Sequence, residues 1–219
     1  MRRKPRPAAR TEPWHPCAWQ VQSLLLAYPD EQLTERLALA RRAAPALPAR
    51  VREPLLDFAA HAERTPAGDL AAAYVATFDH RKRCCPYLTY YAHGDTRRRG
   101  IALLRLKQAY TAAGLRLADD ELPDHLAVVL EFAGADPAAG MRLLTEHRAG
   151  LELLRLALRE ERAPWARVLE SVSATLPPLR GDEQDAVARL AAEGPPGEEV
   201  GLAPYTPPQF MPGPAGGPR

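Results

Sequence analysis

The sequence predicts an all-α fold: a single globular domain of about eight or nine helices. Three observations carry this. Aromatic residues are only 6% of a chain that is 46% hydrophobic, so the core must be built from Leu, Ala and Val. Leu and Ala are strong helix formers, whereas the β-branched residues that favour strands are scarce. Third, proline is pushed to the ends. Of 23 prolines, four precede Cys17 and ten follow Leu176, leaving nine between. A length of 219 residues is enough for one domain with a real core.

The helices follow in order. Trp19, Leu24, Leu25 and Tyr28 fit a first helix ended by Pro29. Asp30 is placed to cap the next, with Leu33, Leu37 and Ala40 on one face. Glu53 to Glu63 presents Leu55, Phe58 and Ala59. Thr65-Pro66 reads as a cap followed by a first-turn proline, opening a helix striped by Leu70, Tyr74 and Phe78. Asp95 is expected to cap a long helix through Ala113 that Gly114 stops, with Ile101, Leu104 and Gln108 one turn apart. Pro123-Asp124 opens another, with Leu126, Val129, Leu130 and Ala133 inward. Asp136-Pro137 repeats that cap logic. Leu151, Leu154 and Leu158, then Trp165, Val168 and Val172, complete the core. No repeat period is visible, which argues against a solenoid.

The chain therefore divides into a disordered basic arm over 1–14, a helical domain over 15–176, and a Pro/Gly-rich, mostly disordered tail over 177–219. Segments of that composition bury too little apolar area to offset chain entropy. Within the tail, Asp182 to Glu193 reads as a short helix with Asp182 as N-cap and Gly194 as stop.

Charge and composition exclude several classes. A net charge of +2 is not that of a dedicated nucleic-acid binder. No apolar run approaches the length of a membrane span, and the basic start MRRKPRPAAR leads into no apolar stretch of a signal peptide. Three cysteines, two of them adjacent, do not make a disulfide framework. A cytoplasmic protein without direct membrane insertion is expected.

The informative stretch is Tyr74 to Leu126, where aromatic and histidine residues and a basic cluster precede an acidic segment. Three constellations invite chemistry. Cys84-Cys85 with His80 and His93 suggests a metal or thiol site, but adjacent cysteines rarely converge on one ion and a second ligand pair is missing. His93, Asp95 and Arg97 to Arg99 suggest acid–base work, yet Gly94 as a turn and Asp95 as a cap explain them more simply. In Glu121 to Leu126, carboxylates sit where a helix dipole favours them, with no nucleophile or phosphate loop nearby. A small metal- or thiol-dependent enzyme using His80, Cys84, Cys85 and His93 remains an alternative, as does a helical nucleic-acid-binding regulator.

Read together, YVATFD, YLTYYAHGDTRRRGIAL and ELPDHL resemble the NarJ-type nitrate reductase assembly chaperones, within the redox-enzyme maturation group that includes TorD-like chaperones. The likeness runs from about Cys17 to Leu176 and includes LLLAYPD. It implies a non-enzymatic, all-helical protein with no permanently bound cofactor. Such a protein binds the N-terminal peptide of the nitrate reductase alpha subunit and keeps it cytoplasmic until the molybdenum cofactor, which the client carries, is inserted. The chaperone is absent from the final complex, and cofactor insertion proteins are further partners in this picture. The group's hinge motif falls on Glu121, Pro123, Asp124 and His125, with Leu122 interposed.

A client segment folding as an amphipathic helix would lay its apolar stripe in a groove. Phe78, Tyr87, Leu88 and Tyr91 are expected to line it, with Leu126 and Leu130 opposite and His93, Asp95 and Arg97 nearby. Asp119, Asp120, Glu121, Asp124 and His125 would then meet client Lys or Arg.

Overall fold

The computed structural model describes residues 10–118 and 121–194. Eleven α-helices follow one another among them: α1 (His15–Leu26), α2 (Leu33–Ala43), α3 (Ala49–Arg64), α4 (Ala67–Phe78), α5 (Leu88–His93), α6 (Arg97–Ala112), α7 (Leu126–Ala135), α8 (Pro137–Glu146), α9 (Arg148–Glu160), α10 (Ala166–Thr175) and α11 (Gly181–Glu193). Short 3₁₀ turns occupy Ala44–Ala46 and Lys82–Cys84. The expected all-α class holds; the helix missed in the sequence is α5, too short and too rich in aromatics to show a helical period.

Packing follows from which faces are apolar. Helix α1 is buried along most of its length and packs on α7, α10 and α2, while α10 lies against α3 and α9. The centre is aromatic in spite of the low aromatic content. Trp165 is 1% exposed and is ringed by Tyr74, Phe78 and Phe58, with centroids 5.3, 5.4 and 5.9 Å away. Burying one such side chain contributes about 4–6 kcal/mol before entropy is counted. Two polar side chains carried into the core find partners across it: Trp19 Nε1 donates to Thr175 Oγ1 at 3.0 Å, and Gln22 Nε2 donates to Ser171 Oγ at 2.8 Å. Beside this core, Leu106, Tyr110 and Phe132 form a small second cluster that holds α6.

Helices α7 and α8 meet so closely that a Cβ added at Gly140 would lie 2.2 Å from Ala133 Cα. Glycine is what permits the approach.

Several caps differ from expectation. Asp136 caps α8 as expected, accepting from Ala139 N–H at 3.0 Å. Asp30, however, accepts from Gln32 N–H at 2.8 Å and pairs with Arg36, one turn ahead of α2. Thr65 donates back to the His61 carbonyl at 2.9 Å, closing α3 rather than opening α4. Helix α6 begins after Thr96, and Asp95 is free to pair with Arg99 at 3.1 Å. Helix α11 is preceded by Arg180, whose N–H donates to Glu183 Oε2 at 2.9 Å, so Asp182 lies inside the helix. In each case a carboxylate or hydroxyl finds a partner one residue or one turn from the cap position, which local sequence does not distinguish. The face of α6 is also turned from the one expected: Leu106 and Tyr110 point inward, while Ile101 and Leu104 are 58% and 56% exposed.

Trp14 packs on the core edge, stacked on His15 at 3.9 Å with the Arg50 guanidinium over its ring. The arm expected over 1–14 otherwise lies outside the described residues for 1–9, as does the tail beyond Gly194. Among the described residues no helix is long and apolar enough to cross a membrane.

Candidate functional site

The fold brings the two central motifs together through backbone. Tyr87 and His125 form an isolated antiparallel bridge. Leu88 N–H donates to the Asp124 carbonyl and Leu126 N–H to the Pro86 carbonyl, both at 2.9 Å. The bridge ties the entrance of α5 to the entrance of α7. Tyr110 OH adds a third anchor, donating to the Pro123 carbonyl at 2.5 Å.

Under the bridge sits Asp124, fully buried. Its Oδ2 accepts from the Thr89 hydroxyl and faces Arg99 Nη2 at 3.5 Å. Arg99 also donates through Nε to Thr89 Oγ1 at 3.3 Å and lies 5.6 Å from the Tyr87 ring centroid. A buried carboxylate requires such company, because an unpaired one is driven to neutralise. Asp124 therefore does not cap α7. That role falls to His125, whose Nδ1 accepts from Ala127 N–H at 3.3 Å. Burial pushes the His125 imidazole below its ordinary value, outweighing the opposite pull of Asp124, and the neutral ring is the form that can accept this bond.

On the outer side of the bridge a groove of about 530 Å³ opens. Leu24 of α1, Tyr28 just beyond its end, Tyr74 from α4, Tyr87, Leu122 and Val128 provide its apolar surface. Tyr28 is 48% and Leu122 43% exposed. Glu121 and Glu131 bring carboxylates to the same groove, and Arg36 beneath is already paired with Asp30. An apolar trough with acidic margins suits a helix carrying an apolar stripe and basic flanks.

The amino-acid sequence matches the family model described as "Nitrate reductase delta subunit" over residues 44–170, more than half of the chain. The chain belongs to the nitrate reductase delta subunit family. Within this family it is similar to "Nitrate reductase-like protein NarX" of Mycobacterium tuberculosis, 39% identical over 74% of this chain and 24% of that protein. It therefore spans about a quarter of that relative's length. It is also similar to the "Probable nitrate reductase molybdenum cofactor assembly chaperone NarJ" of Bacillus subtilis, 34% identical over 70% of this chain and 85% of that one. The fold matches a putative redox enzyme maturation protein from Archaeoglobus fulgidus, with a TM-score of 0.56, 23% identity, and coverage of 78% of this chain and 98% of that one. Relatives named as nitrate reductase molybdenum cofactor assembly chaperones thus match over 67–70% of this chain.

Against this family background the residues singled out in the sequence separate into three groups. Tyr87, Glu121 and His125 line the groove. Phe78, Leu88, Tyr91, Leu126 and Leu130 are core residues, none more than 7% exposed, and none lines the groove. His93, Asp95 and Arg97 lie on the α5–α6 side and are absent from the groove lining. Asp119 and Asp120 lie outside the described residues.

Sequence reasoning missed Thr89, and it named Arg99 only within the Arg97-to-Arg99 cluster it set aside; both position the bridge. The Asp95-to-Arg99 interval of four residues was the available signal. It also missed Tyr28, Leu122 and Glu131. Their exposure is decided by how α1 crosses α7, which no local pattern records.

The thiols fit a structural role. Cys84 is buried and Cys85 half-buried, and burial raises both above the ordinary thiol value. Such thiols are poor nucleophiles. Among the described residues no group of three or more His, Cys, Asp or Glu gathers around a common point, and His80 stands exposed.

Proposed function

We propose that this protein is a dedicated chaperone for nitrate reductase. In this reading it binds the N-terminal segment of the catalytic alpha subunit in the cytoplasm and holds that subunit competent for molybdenum cofactor insertion and complex assembly. It then leaves, so it is no part of the finished enzyme and binds no cofactor permanently; the client carries the molybdenum cofactor. Insertion proteins for that cofactor are further partners in this reading. Family membership supports the chaperone role, and one structural observation carries the client site: the acidic-rimmed apolar groove beside the Tyr87–His125 bridge.

The client segment docks as an amphipathic helix. Its apolar stripe contacts Leu24, Tyr28, Tyr87 and Leu122, and its Lys or Arg residues meet Glu121 and Glu131. Asp124, Thr89 and Arg99 act behind the groove, fixing the rim without touching the client.

Calorimetry with a synthetic peptide of the alpha subunit's N-terminus tests this. A dissociation constant of nanomolar to micromolar order is expected, about −8 to −12 kcal/mol. Leu122→Asp and Tyr28→Ala should each weaken binding about tenfold or more, about 1.4 kcal/mol, while leaving the melting point nearly unchanged because both side chains are already exposed. Absence of binding at tens of micromolar peptide, or full affinity in both variants, refutes the assignment of the groove.

A further inference from the structure

Helix α6 is attached to the domain along one side. Its buried side chains are Leu106 and Tyr110, which meet Phe132 in the small second cluster. The opposite face also carries apolar groups. Ile101 and Leu104 are the two most exposed large apolar side chains among the described residues. They lie one turn apart, in a row with Arg97 and Gln108 at helical spacing. Neither helps to hold α6 to the domain.

Cations surround this pair. Arg97 stands in line with it toward the start of the helix, Arg98 and Arg105 share one flank, and Lys107 occupies the other. All four are exposed, and none of their side chains is ion-paired among the described residues. Helix α6 contains no Asp or Glu, and Asp95 just ahead of it is taken up by Arg99. Arg97 and Arg98 also sit in the first turn, where the helix dipole disfavours cations. They do not serve the stability of the helix itself.

These features select an occupant. A second copy of this chain laid on the same face would bring like charges together. A protein helix seats its stripe in a groove, but the groove by the Tyr87–His125 bridge and the cavities against α9 and beside Tyr110 stop short of Ile101 and Leu104. A nucleic acid offers phosphates and nothing for the aliphatic pair. A bilayer with anionic headgroups takes both, because it moulds round Ile101 and Leu104 while the long Arg and Lys stems carry their charges up to the phosphates.

We propose that the outer face of α6 attaches this protein peripherally to an anionic membrane surface. Ile101 and Leu104 enter the headgroup boundary, and Arg97, Arg98, Arg105 and Lys107 pair with lipid phosphates. The helix lies in the plane of the interface and does not cross it. Attachment is reversible, since two aliphatic side chains bury little and each cation near an anionic leaflet raises partitioning roughly fivefold. No residue of α6 lines the groove by the bridge, so attachment and client binding use separate side chains.

The test is sedimentation of the full-length chain with vesicles of equal parts phosphatidylcholine and phosphatidylglycerol, against vesicles of phosphatidylcholine alone. The mixed vesicles should bind it, the neutral ones should not, and added salt should weaken binding. Ile101→Ser with Leu104→Ser keeps every charge, and Arg98→Glu with Arg105→Glu keeps the aliphatic pair; each double variant should bind about tenfold or more weakly. Arg42→Glu with Arg64→Glu makes the same change in net charge at exposed sites of α2 and α3, and should weaken binding by about threefold at most. All these side chains are exposed, so each variant should melt within about 3 °C of wild type. No binding to the mixed vesicles, equal binding to the neutral ones, or binding that survives either α6 variant overturns the proposal. So does an equal loss in the Arg42 and Arg64 variant, which marks net charge alone, or a larger fall in melting temperature in an α6 variant, which places those side chains inside the fold. If the face instead retains duplex DNA or an acidic peptide without binding vesicles, or joins two copies in solution, it serves another occupant and the proposal falls.

Discussion

Asp124→Asn separates two roles that the sequence leaves entangled. Were Asp124 a helix cap, the change would be almost neutral, because Asn and Asp cap about equally well. The structure instead places a fully buried carboxylate against Thr89 and Arg99. Asn can still accept from Thr89, but its amide then occupies the position of Oδ1, which has no partner among the described residues. Arg99 loses its buried counter-charge. Removing one partner of a fully buried pair costs about 3–5 kcal/mol. Here Arg99 remains 19% exposed and keeps Asp95 at 3.1 Å, which brings the expected loss to about 2–3 kcal/mol. Thr89→Val should cost about 1–2 kcal/mol, and the double variant should show coupling of about 1 kcal/mol. Urea unfolding followed by circular dichroism measures all three. A loss below about 0.5 kcal/mol in Asp124→Asn, or no coupling to Thr89, refutes the buried-anchor account and restores the cap.

Two further outcomes are expected. Gly140→Ala should destabilise the protein by about 1–3 kcal/mol, although Ala is the better helix former by about 1 kcal/mol, because the new methyl meets the Ala133 backbone; a neutral or stabilised variant in the same urea assay contradicts the close α7–α8 contact. Burial lowers the pKa of both His125 and His147 from the ordinary 6.5. Their unfolded forms bind protons first, so the stability they contribute is whole above about pH 6.5 and is lost as pH falls through the lowered folded-state values. The urea midpoint should fall between about pH 7.5 and pH 5, above the range where the carboxylates titrate, and less in His147→Gln. A midpoint that is flat or rises toward acid refutes this.

The sequence by itself determined the all-α class and the positions of nearly all the helices. Apolar spacing at 3.6 residues, proline punctuation and the Asp136 cap are local signals, and local hydrogen bonding suffices to realise them. The order of the three central motifs carried the family in the same way. The sequence also marked Tyr87, Glu121 and His125, because aromatic and acidic residues clustered beside a helix start are visible in one dimension. What remained hidden depended on distance in space. Phe78, Leu88, Tyr91, Leu126 and Leu130 could equally have lined a groove or filled a core, since an apolar side chain looks the same in either place; only the packing of α4, α5 and α7 around α1 and α9 buried them. Arg99 became the counter-ion of a buried carboxylate through a contact with Asp124, twenty-five residues away in the chain. Tyr28 and Leu122 were left exposed together by the crossing of α1 and α7. Burial and charge pairing are properties of neighbours brought together by folding, and so the tertiary structure, not the local pattern, decided where a partner can bind.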